Sequence, residues 1–87
     1  MRKHKSVAIE FGITLKTLRL EKGLTQEKLG FEARIDRSFI AMIEGGKHSP
    51  SIDTAYSLAQ GLGISFTDLA RILEVNLGKA NEKEHND

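Results

Sequence analysis

Apolar side chains recur every three to four residues in short segments along the chain, and Gly23, Gly45, Gly46, Pro50, Gly61, Gly63 and Gly78 punctuate the intervals. No stretch alternates apolar and polar residues for long enough to read as a strand, so the pattern predicts an all-α fold of five helices. The first is expected over residues 6–22, with Ser6 as N-cap and Gly23 just past the end. Ala8, Phe11, Leu15, Leu18 and Lys22 fall at helical spacing on it. Ile9, Ile13 and Leu20 lie off that stripe and either extend the core contact or face a partner. Thr25 can cap a second helix that carries Leu29, Gly30 and Ala33 inward and ends near Arg34. Asp36 can cap a third, over residues 37–44, with Ile40 and Ile43 on its buried side. Ser51 opens a fourth with Ile52, Ala55, Leu58, Ala59 and Leu62 as its stripe and Gly63 as terminator. Ser65 and Asp68 form a capping box for a fifth, in which Phe66, Leu69, Ala70 and Leu73 point inward. Organisation follows as a basic arm (residues 1–5), one folded domain (6–77) and a polar, disordered C-terminal tail (78–87).

Composition narrows the class. In 87 residues without cysteine the core must come from packed helices, with or without help from a partner subunit. No apolar run approaches the roughly 18 residues that cross a membrane, and the basic start is not followed by a signal-like apolar stretch, so the cytoplasm is the expected location. Net charge is only +1, but it is unevenly spread. Residues 1–50 carry ten Lys/Arg against six Asp/Glu, and residues 51–87 three against six. A basic N-terminal half suits a one-sided footprint on a polyanion. His4, His48 and His85 are scattered and lack metal-ligand spacing. Phosphate-binding loops and nucleophile elbows are absent, so neither an enzyme, a cofactor nor a metal is expected.

The informative segment is QEKLGFEARIDRSFIAMIEG, residues 26–45. Two short helices crossing steeply need apolar side chains at Leu29, Ile35, Ile40 and Ile43, and small ones at Gly30 and Ala33 where backbones approach; every position complies. Together with LRLEKGLTQEKLG, IDRSFIAMIEGGKHSPS and LAQGLGISFTDL, the chain resembles the Cro/C1-type (XRE) helix-turn-helix family over roughly residues 10–74. The segment IDRSFIAMIEGGKHSPS is also similar to controller proteins of restriction-modification systems and other small repressors.

That resemblance implies a lambda-repressor-like domain that binds double-stranded operator DNA with the helix at residues 37–44 in the major groove. Arg37, Ser38 and Met42 stand where relatives touch bases. Arg37 suits guanine O6 and N7, Ser38 specifies little alone, and Met42 could pack on a thymine methyl. Gln26, Gly46, Lys47 and Ser49 match phosphate-holding positions. Arg19 and Glu44 match a pair that fixes the reading helix to the scaffold. Two residues depart from the family pattern. Arg34 occupies the turn position usually held by glycine and must adopt a left-handed conformation, and Gly45 stands where relatives carry Arg or Asn. Phe39 is either core or lies on the sugar-phosphate edge. The arm Arg2, Lys3, His4 and Lys5 is of a kind that enters a minor groove, or is simply a disordered basic terminus. One such unit touches few bases, so a homodimer on a palindromic operator is expected, with Phe66, Ile72, Val75 and Leu77 as its interface. No small-molecule effector is indicated. An antitoxin, or a protein-interaction adaptor on the same fold, remains the alternative.

Overall fold

A computed structural model describes residues 7–85, with side chains as far as Ala80. Five helices follow one another: α1 (Val7–Glu21), α2 (Gln26–Ala33), α3 (Arg37–Glu44), α4 (Ile52–Leu62) and α5 (Phe66–His85). There is no strand among the described residues. Side-chain caps set the helix starts. Thr25 Oγ1 accepts from the Lys28 amide at 2.9 Å, and Ser51 Oγ from the Thr54 amide at 3.0 Å. Ser65 Oγ accepts from the Asp68 amide at 2.9 Å. The Asp68 carboxylate, expected to reach back to the Ser65 amide, accepts from Arg71 Nη2 at 2.7 Å. Ser6 and the basic arm lie outside the described residues.

The core joins all five helices through Leu15, Leu29, Ile40, Ile43, Leu58 and Leu69, each almost wholly shielded from solvent. α5 lies along α1, where Asn76 Nδ2 donates to Thr14 Oγ1 at 3.0 Å. Glycines bring backbones together at two crossings. A Cβ on Gly12 would stand 2.3 Å from the Ile43 carbonyl oxygen, so α1 rests directly on the last turn of α3. One on Gly61 would stand 2.9 Å from Ala33 Cβ, where α4 meets α2.

Several expectations need correction. Ile52 is 72% exposed and Ala70 is also on the surface, because each lies at the margin of its helix's apolar stripe and the neighbouring helix does not extend over it. Of the two roles open to Ile9, Ile13 and Leu20, a core contact or a partner-facing surface, their exposure on the flank of α1 fits the second. The chain does not fray at Gly78 but stays helical to His85. Extending a formed helix needs no new nucleus, and Lys79, Ala80, Glu82, Lys83 and Glu84 are good helix formers.

Candidate nucleic-acid interface

Only Arg34, Ile35 and Asp36 separate α2 from α3. Gly30 makes the turn possible, since a Cβ there would lie 2.6 Å from the Ile35 carbonyl oxygen. Arg34 takes the left-handed conformation, φ 60 and ψ 44, and its amide closes the end of α2 on the Gly30 and Phe31 carbonyls. For a side chain other than glycine this conformation costs about 1–2 kcal/mol. Asp36 then starts α3, its carboxylate accepting from both the amide and the hydroxyl of Ser38. The hydroxyl first, the amide next and, more weakly, the neighbouring Arg37 hold the Asp36 pKa below the usual carboxylate value, so the cap stays ionised throughout the neutral range.

α3 buries Ile40 and Ile43 and turns Arg37, Ser38, Ala41 and Met42 outward. Arg37 stands at its first position beside the start of α2, in a hollow lined also by Thr25, Gln26 and Glu27. It forms no ion pair among the described residues. Met42 is 44% exposed. Ser38 is turned outward, but its hydroxyl proton is directed at Asp36, which leaves it an acceptor. Ala41 escaped the sequence reading. It lies on the same exposed face, between Arg37 and Ser38 in helical projection, and its small side chain leaves the α3 backbone open to close approach there. Phe39 packs against the core and meets the His48 ring edge-on, centroids 4.7 Å apart, rather than lying open to a sugar-phosphate edge.

Behind this face is a buried bidentate pair. Arg19 Nε donates to Glu44 Oε2 at 2.6 Å and Nη2 to Oε1 at 3.1 Å. Arg19 Nη1 also donates to the Leu24 carbonyl at 2.6 Å. The same Glu44 oxygen accepts from Gln26 Nε2 at 3.0 Å. One carboxylate thus ties together α1, the start of α2 and the end of α3, with the Arg19 and Glu44 side chains 8% and 4% exposed. The Gln26 bond was not legible in the sequence. It turns the Gln26 side chain partly inward and leaves one amide hydrogen for another acceptor.

The end of α3 alters the expected phosphate set. Gly46, at φ 74, donates its amide to the Ile43 carbonyl, and Lys47 donates its amide to the Met42 carbonyl, both at 3.0 Å. This is a Schellman closure. Neither amide remains available to a phosphate, so Gly46 serves the turn and Lys47 can act only through its exposed ammonium group. Ser49 is exposed in the following loop.

The four residues expected at a subunit interface do not form one patch. At about 100° per helical residue, Phe66 and Val75 lie on opposite flanks of α5. Val75 is 50% exposed, while Phe66, Ile72 and Leu77 are half-buried. Phe66 instead borders an apolar trough with Val7, Pro50, Ile52, Ala70 and Leu73, with no charged side chain lining it among the described residues.

Comparison with known proteins agrees with this geometry. The family model HTH_3, helix-turn-helix, matches residues 15–77. The chain is 38% identical over 58 residues to the uncharacterized HTH-type transcriptional regulator y4dJ of Sinorhizobium fredii, covering 67% of this chain and 75% of that protein. It is 36% identical over 69 residues to the control protein C.MunI of a Mycoplasma species, covering 78% and 93%. Among solved structures, the restriction-modification controller protein C.Esp1396I, as a tetramer on its natural 35 base-pair operator, superposes with a TM-score of 0.79 at 27% identity, covering 85% of this chain and 97% of that one.

Proposed function

The chain belongs to the helix-turn-helix family of transcriptional regulators, and from that premise we propose that it reads a palindromic operator as a homodimer, in the manner of a restriction-modification controller or small repressor. The observation that carries the reading is Arg37, an exposed guanidinium without an ion pair among the described residues, at the tip of a helix whose other end is anchored by the buried Arg19–Glu44 pair. An unpaired arginine on a rigid helix is preorganised for a bidentate contact with guanine. Ser38, Ala41 and Met42 complete the proposed base-facing surface, with Lys47, Ser49 and the N-terminus of α2 at Gln26 on the phosphates. The role is binding without catalysis. No helix among the described residues is long and apolar enough to cross a membrane, and the proposed place of action is the cytoplasm.

Selection of random duplexes by the purified protein at near-physiological salt tests the reading. An inverted repeat with half-site centres about 34 Å apart is expected. If no sequence is enriched while a protein partner copurifies, the adaptor reading replaces it.

Lys47→Ala should weaken binding to every duplex alike and make the plot of log affinity against log salt shallower by about one unit per bound protomer. Fluorescence anisotropy across a salt series measures this, and an unchanged slope removes Lys47 from the phosphate set.

For the second copy, the apolar trough beside α5 is the better candidate than the flank bearing Val75. Ile52 and Val7, 72% and 54% exposed, rim it, and burial of such groups is what holds two copies together. Ile52→Asp places a charge there without touching the core, and should weaken dimerisation by at least about tenfold, or 1.4 kcal/mol. Sedimentation equilibrium reads the shift, and dimers as tight as the parent's would move the interface elsewhere.

A further inference from the structure

Arg34 is the one non-glycine residue with positive φ among the described residues. Glycine would relieve the strain at once, yet this turn keeps a long cationic side chain. Nothing within the described residues uses its charge. Arg34 forms no ion pair, although Glu27, Glu32 and Asp36 line the same hollow. Two of those carboxylates are already engaged, Glu32 with Lys28 at 3.5 Å and Asp36 with Ser38. Arg37 borders the hollow too, so two guanidinium groups without an ion pair among the described residues flank the start of α3. Strain retained at an exposed position with no internal partner indicates an external one.

We infer that Arg34 is a second DNA-contacting arginine, which grips a backbone phosphate beside the half-site that Arg37 reads. The inference rests on α3 being the DNA-reading helix. A phosphate rather than a base is assigned because the turn lies outside α3 itself, and because a guanidinium matches phosphate oxygens with paired hydrogen bonds. The contact adds affinity on any sequence and leaves discrimination to Arg37.

The test compares wild type, Arg34→Gly, Arg34→Gln and Arg34→Lys by anisotropy on operator and random duplexes over a salt series, with thermal melts at one protein concentration. Arg34→Gly should melt a few degrees higher, because the left-handed position no longer strains a side chain. It should nevertheless bind both duplexes more weakly, on the order of tenfold, with a salt slope shallower by about one unit per protomer. Arg34→Gln keeps the strain, so its melting point should stay put while affinity and slope fall as in Arg34→Gly. Arg34→Lys should retain the slope. Unchanged affinity and slope in Arg34→Gly and Arg34→Gln overturn the inference while operator binding stands. Loss in Arg34→Gly alone overturns it too, because backbone freedom and not charge would then be responsible. Wild-type protein that binds no duplex overturns both readings together.

Discussion

Arg37→Ala should erase the sequence preference of the protein while leaving most of its salt-dependent affinity for DNA. A bidentate arginine–guanine contact contributes about 1–3 kcal/mol of discrimination, roughly 5- to 150-fold at each half-site, and a dimer carries the contact twice. Enrichment in a duplex selection should therefore flatten. Binding to random DNA should persist through Lys47, Arg34 and the α2 N-terminus. Folding should be unaffected, because Arg37 is exposed, makes no ion pair among the described residues and is not itself the cap of α3. Arg37→Lys sharpens the argument. It preserves the charge but not the planar fork, so preference should fall while the salt slope holds. Equal loss on operator and random duplexes would show that Arg37 holds a phosphate and reads no base.

The starts of α2, α3, α4 and α5 were legible in the sequence because each rests on a local device, whereas the end of α5 was not. Thr25, Asp36, Ser51 and Ser65 cap within three residues of themselves, and Arg34 sits where the chain must turn left-handed. The Arg19–Glu44 pairing was legible only through resemblance, since nothing local links residues 25 apart. What local reasoning missed depends on neighbours distant in sequence. A helical stripe is wider than any one contact surface, so its marginal members Ile52 and Ala70 face inward or outward according to where the next helix ends. That the Gly46 amide closes the helix end was hidden for a related reason. A glycine after a helix suits a phosphate-binding turn and a Schellman closure equally, and only the backbone path distinguishes them. The expected interface residues span two faces of α5, which spacing alone reveals, since residues nine apart on one helix lie on opposite sides.

Breaking the buried pair should have the largest effect on stability. Glu44→Ala leaves the Arg19 guanidinium shielded, holding only the Leu24 carbonyl, and deprives Gln26 of its acceptor. Removing one partner of a buried pair costs about 3–5 kcal/mol, against about 5–15 kcal/mol of total stability for a domain of this kind. At about 4–8 °C per kcal/mol, the melting temperature should fall by more than about 12 °C. Arg19→Ala should do comparable harm, stranding a buried carboxylate with Gln26 as its remaining donor. The double variant Arg19→Met with Glu44→Leu separates the damage from the pair's net contribution. Charge-free side chains of similar volume should recover most of the stability, and a cycle completed with the matching single variants Arg19→Met and Glu44→Leu isolates the coupling. DNA binding should not recover in step. Apolar packing can fill the space, but it cannot reproduce hydrogen bonds that join α1, α2 and α3 at one carboxylate and hold Arg37 in register with the phosphate contacts. A double variant that regains both stability and operator affinity would mean that shape alone sets the angle of α3. A Glu44→Ala melting point within a few degrees of wild type would mean that water reaches Arg19 and the pair is not buried in solution.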